Sequence, residues 1–149
     1  MDRTPRWVRS FLGQSDREAV RRAIADAEAR TSAEIRVHLD QSCPGDPIAR
    51  AVAVFERLGM HRTAERHGVL LYVGVGDRKI AVIGDRGIHE RVGAAYWDAL
   101  VVAVVGELRA RQPAEALTHA VQELGRALGR HFPRAPGDTN ELSDQVSIS

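Results

Sequence analysis

Residues 68–88, GVLLYVGVGDRKIAVIGDRGI, constrain the fold more than any other stretch of this chain. Val69 to Val75 is an almost unbroken apolar run, the pattern of a strand covered on both faces. Gly76-Asp77-Arg78 is turn material, and Lys79 to Ile83 is a second run rich in β-branched residues. Two such runs a few residues apart predict a β-hairpin. The second run stops at Gly84-Asp85-Arg86-Gly87, where a helical pattern takes over. The segment therefore supplies a sheet core, a turn at one edge and a polar, glycine-flanked corner at the other.

The flanking sequence says how that hairpin is extended. Ser15-Asp16-Arg17-Glu18 reads as a capping box opening a helix whose stripe is Val20, Ala23, Ile24 and Ala27, with a charged outer face, ending near Arg30 or Thr31. Glu34 to Asp40 alternates: Ile35, Val37 and Leu39 fall on one face, Glu34, Arg36, His38 and Asp40 on the other. Asp46-Pro47 is a helix start, followed by a stripe of Ile48, Ala51, Val52, Phe55 and Leu58 and a stop at Gly59. Strand, helix and strand in that order predict a right-handed crossover between parallel strands, so the hairpin makes the sheet mixed. A helical region follows from about Ile88 to Gln112, divided near Gly93. Its longer part is apolar nearly all round and is expected to be buried on most sides. Pro113 opens a last helix with the stripe Leu117, Ala120, Val121, Leu124 and Leu128. The predicted fold class is α/β, a small mixed sheet with flanking helices. Residues 1–14 read as an arm, 15–132 as one domain and 133–149 as an extended tail.

At 149 residues the chain suits one domain. A net charge of +1 gives no field that would draw nucleic acid. The lone cysteine, Cys43, excludes an internal disulfide and a cysteine-based zinc site. No stretch has the roughly twenty apolar residues of a spanning helix, and no secretory signal is evident, so a cytoplasmic location is expected. Gly74-Val75-Gly76 leads into a strand and not a helix, so it is no dinucleotide fingerprint; no nucleotide or organic cofactor is expected.

The topology brings particular side chains together. The start of the first strand, the start of the second and the end of the third share one sheet edge, where Glu34, Arg66, His67, Asp85 and Arg86 converge. Two carboxylates beside a histidine suit a hard divalent cation, calcium or magnesium, whereas a helix N-terminus beside glycine-flanked backbone suits an anion. Both together would serve a metal-assisted reaction on a phosphate ester. The structural reading of the same residues is an ion pair between Glu34 and Arg66 or Arg86, with Asp85 capping a helix. The opposite edge holds Asp40, Asp46 and Asp77. There Asp46 is read as a cap, Asp77 as a turn residue, and His38 with Asp40 as a weak metal signal.

The blocks TSAEIRVHL (31–39), FERLGMHRTAERHGVLLYV (55–73), KIAVIGDRGIHERVGAAYW (79–97) and HFPRAPGDTNELSDQVS (131–147) together resemble the short, soluble bacterial branch of the TPM domain family. The resemblance implies a three-layer α/β/α fold. It also implies divalent-metal binding as proposed for some bacterial members and an acid phosphatase activity as proposed for the plant branch. The family's Thr-Ser-Gly-Glu block falls on Thr31, Ser32, Ala33 and Glu34, its Arg-Asn-Gly block on Arg66, His67 and Gly68, and its Gly-Asp-x-Gly block on Gly84, Asp85 and Gly87. Ala33 and His67 depart from that pattern. Two functions follow as expectations. One is a divalent-cation site at Glu34 and Asp85 with weak phosphomonoesterase activity and a phosphate-bearing small molecule as substrate. The other is a non-catalytic module that docks or assembles with a protein partner without inserting into a membrane.

Overall fold

The computed structural model describes residues 3–60, 67–134 and 146–149. Arg66 lies outside the described residues. The elements run α1 (Arg6–Phe11), α2 (Gln14–Glu28), β1 (Glu34–Asp40), α3 (Pro47–Arg57), β2 (Gly68–Gly74), β3 (Lys79–Gly84), α4 (Arg86–Val92), α5 (Ala94–Ala110), α6 (Pro113–His131) and β4 (Ser147–Ile148). The strands form one mixed sheet in the order β3-β2-β1-β4. β1 is parallel to β2, with Glu34 beside Gly68 and Asp40 beside Gly74, and β2 is antiparallel to β3.

Alternation along β1 decides the layers. Ile35, Val37 and Leu39, with Val69, Leu71 and Val73 of β2, face a large core built with α1, α2, α5 and α6. Leu70 and Tyr72 face a smaller core with Ala51, Val54 and Phe55 of α3. The result is the three-layer α/β/α sandwich, held by apolar surface removed from water on both sides of the sheet.

Several local expectations are corrected. Residues 6–11 are helical and not an arm, because Val8 and Leu12 are fully buried. α2 opens at Gly13 with no side-chain cap, so the Ser15–Glu18 box does not form, and its Glu28 is buried, not solvated. In α3 the buried stripe is Ala51, Val54 and Phe55, while Ile48 is 58% exposed. α5 buries only Trp97, Leu100, Val104 and Leu108, and Val102 is 73% exposed. The end of the presumed tail returns as β4, where His38 pairs with Ser147 and Leu39 with Ile148. No helix among the described residues is long and apolar enough to cross a membrane.

The α2–α6 contact is unusually close. A Cβ at Gly125 would lie 2.7 Å from Ala27 Cβ and 3.0 Å from its Cα. Backbone atoms cannot swing aside as a flexible side chain can, so Gly125→Val should force the helices apart. The expected loss is roughly 1–3 kcal/mol, read as a lower urea midpoint at unchanged m-value.

Candidate functional site

The expected edge does assemble around Gly68. Glu34 stands beside it in register and donates its backbone N–H to the His67 carbonyl at 2.8 Å. Asp85 donates its N–H to the Gly68 carbonyl at 2.9 Å. Its carboxylate then accepts from Gly68 N–H at 2.7 Å and from Ile88 N–H at 3.2 Å. One oxygen thus staples the start of β2 to the end of β3, and the other caps α4. That cap places a carboxylate at the amide of Ile88, at the helix start where an anion is expected.

His67 and Arg86 are engaged elsewhere. The His67 ring packs on Phe132, with centroids 4.2 Å apart. Arg86 does not turn inward: its side chain is 81% exposed and pairs with Glu90 at 3.2 Å. Among the described residues no group of three or more His, Cys, Asp or Glu is placed to hold a metal ion.

The opposite edge, read from sequence as the weaker, carries the denser network. On the polar face of β1, Arg36 is half-buried, but Glu34, His38 and Asp40 are almost inaccessible. Asp40 Oδ2 accepts from Tyr72 Oη at 2.5 Å and from Arg50 Nε at 2.7 Å. Its Oδ1 accepts from Ser149 Oγ at 2.5 Å and from Arg50 Nη2 at 3.2 Å. His38 lies between the two serines of the returning strand, Nδ1 2.7 Å from Ser147 Oγ and Nε2 2.7 Å from Ser149 Oγ. Because Ser149 must donate to the carboxylate, its oxygen accepts from His38, which places the imidazole proton on Nε2. His38 also stacks on Tyr72, its register partner, at 6.2 Å. The network ties β1, β2, α3 and β4 to one carboxylate.

Electrostatics follow from that packing. Burial is the largest effect on Asp40 and raises its pKa, but hydrogen bonds from Arg50, Ser149 and Tyr72 together outweigh it and hold the carboxyl well below the usual range. Burial pushes His38 down to about 4, against the pull of Asp40 and with help from Arg57 and Arg50, so the ring is neutral at pH 7. Burial and the bond to Asp40 push the Tyr72 hydroxyl above its usual range. The neighbouring loop is built the same way. Asp77 accepts from the Cys43 N–H, Asp46 from Ile48 N–H at 3.1 Å, and Lys79 Nζ donates to the carbonyls of Cys43 and Gly45 at 2.8 and 2.9 Å. Asp46 and Asp77 therefore have the cap and turn roles expected of them.

Arg50, Tyr72, Ser147 and Ser149 are the residues sequence reasoning missed. A half-signal existed, since Tyr72 sits in an apolar run directly across from His38. Nothing local, however, tells that residues 147–149 return to β1.

This is the fold of a TPM-domain protein. A TPM domain model matches residues 8–127, and the chain belongs to that family. It is 35% identical to the BA42 protein from the psychrophilic bacterium Bizionia argentinensis, with a TM-score of 0.86 over 93% of this chain and 96% of that one. An N-terminal domain from P. gingivalis (14% identity, TM-score 0.68, 82% and 79% covered) has the same fold. So does the N-terminal domain of cg2496 from Corynebacterium glutamicum (16%, 0.62, 94% and 91%). No curated protein sequence matches.

Two outcomes test the network. Asp40 has a lowered pKa in the folded state, so its stabilisation is complete above the unfolded value of 3.8 and is lost as pH falls through the lower folded value. Asp40→Asn should cost roughly 1–3 kcal/mol at neutral pH, with the gap to wild type closing in urea titrations carried out in acid. For His38 the unfolded chain binds the proton first, so stability should fall as pH drops from 6.5 towards about 4. His38→Gln should flatten that slope, and the ring should titrate near the lower limit by NMR.

Proposed function

We propose that this protein is a non-catalytic TPM-domain module that works by docking another protein through the outer face of α5. One observation carries the reading. α5 is apolar nearly all round, as helices buried inside larger assemblies are, yet its outer side faces water and Val102 is 73% exposed. Helix propensity does not explain that composition. Val101, Val102, Val104 and Val105 are poor helix formers, and Val102 gains nothing from the fold of a single chain. The carboxylates support the reading from the other side. Both oxygens of Asp85 and both of Asp40 already accept from donors that hold the scaffold together.

A second reading draws on the convergence of Glu34, His67 and Asp85 around Gly68. In it Glu34 and Asp85 bind calcium or magnesium by their carboxylate oxygens, with His67 beside them, and the site hydrolyses phosphomonoesters weakly. Asp85 already accepts one backbone amide on each oxygen, so a cation would have to use the lone pairs that remain. A turnover assay separates the two readings. With p-nitrophenyl phosphate and either cation across acidic to neutral pH, the docking reading predicts a rate no higher than buffer. It predicts no difference between wild type and the Glu34→Gln/Asp85→Asn double variant. A cation-dependent rate that the double variant loses would overturn the docking reading.

A further inference from the structure

We propose that the outer face of α5 is a homodimer interface, with α5 of one copy packing antiparallel across a two-fold axis on α5 of another; the inference rests on the docking reading and names its partner. On a helix of 3.6 residues per turn, Trp97, Leu100, Val104 and Leu108 share one side, and all are buried. Ala95, Asp98, Val102, Gly106 and Arg109 lie on the opposite side, and all are exposed. Between Asp98 and Glu107 the helix carries no charge at all. The exposed side is therefore an apolar strip with an acid near its N-terminal end and a base near its C-terminal end.

Those two charges choose the partner and its direction. Asp98 and Arg109 are about three turns apart and so lie on the same side of the helix. In a parallel pair each charge would face its own kind. In an antiparallel pair whose two-fold axis passes the middle of the strip, Asp98 of each copy comes level with Arg109 of the partner subunit, on the same side of the seam. One point of self-complementarity is thus made twice, as an isologous contact requires. Oppositely charged ends fix register and orientation, while the apolar strip between them supplies the attraction.

The shape agrees with the charge. Ala95, Ala99 and Gly106 let two helix axes approach closely, and Val102 provides a knob near the centre. Beside the strip, α5 and α6 border an open cavity of about 450 Å³ lined by buried Leu100, Val104 and Ala120 and by the polar side chains of Glu107, His119, Glu123 and Arg126. An apolar side chain from the partner's helix can enter it at the edge of the seam.

Sedimentation equilibrium over a concentration series tests the proposal with wild type, Val102→Asp, Asp98→Arg, Arg109→Asp and the Asp98→Arg/Arg109→Asp double variant. Wild type should reach twice the chain mass. Val102→Asp should be monomeric with unchanged circular dichroism, since the site is exposed in a single copy. Each single charge reversal should weaken association by roughly tenfold or more, and the double reversal should restore most of it. If Val102→Asp misfolds, the charge reversals alone decide. A dimer that survives Val102→Asp intact, or charge reversals without rescue, would overturn the proposal. A wild-type chain that stays monomeric up to about 1 mM would also overturn it. That last result leaves the docking reading standing, because that reading fails separately on cation-dependent turnover.

Discussion

The buried carboxylate of Asp40 is the interaction on which much of this structure depends. A single charged group at the end of β1 accepts from Tyr72 on the next strand, Arg50 on the covering helix and Ser149 on the returning strand. Isolated in the interior, that charge would be prohibitive; surrounded by donors, one of them cationic, it fixes how four elements meet. Removing a single partner would leave a buried charge under-satisfied, so the cost of the arrangement doubles as its specificity.

Asp85 plays the same part at the other edge. Among the described residues backbone amides supply its donors, and the carboxylate closes the gap between the start of β2, the end of β3 and the first turn of α4. Glycines allow the approach: a Cβ at Gly84 would strike Ile88 at 2.8 Å, and one at Gly74 would strike Cys43 Cβ at 2.9 Å. Both ends of the sheet are thus locked by an aspartate beside close-packed backbone. Asp40 and Asp85 each act as a hydrogen-bond hub.

The fold was legible in the sequence wherever periodicity was strong. β1, the hairpin, the Asp46-Pro47 helix start, the break at Gly93 and the α6 stripe all form as patterned. Failures fell where a local signal was outvoted by tertiary packing. Ser15 offers a cap, but α2 starts a residue earlier at Gln14, with Gly13 as its N-cap. Val8 and Leu12 are too few to show a period, yet they are core. The polar face of β1 reads as solvent-facing because alternation cannot reveal what lies above it. The convergence of Glu34 and Asp85 followed from topology alone, whereas the Ser147–Ser149 contacts depend on a chain reversal that no short-range pattern encodes.

α5 is where sequence and structure disagree most usefully. Its composition predicts burial, and the described residues bury only one side of it; the proposed partner would cover the other. In the proposed function the carboxylates serve the scaffold and the apolar helix serves recognition. Titrating the protein with calcium and with magnesium, following backbone amide and side-chain carboxyl shifts by NMR, tests this most directly. The account predicts that Glu34, Gly68 and Asp85 stay unmoved at concentrations where ordinary extracellular calcium sites fill, roughly 10⁻⁴–10⁻³ M. Saturable shifts centred on those three residues would contradict it.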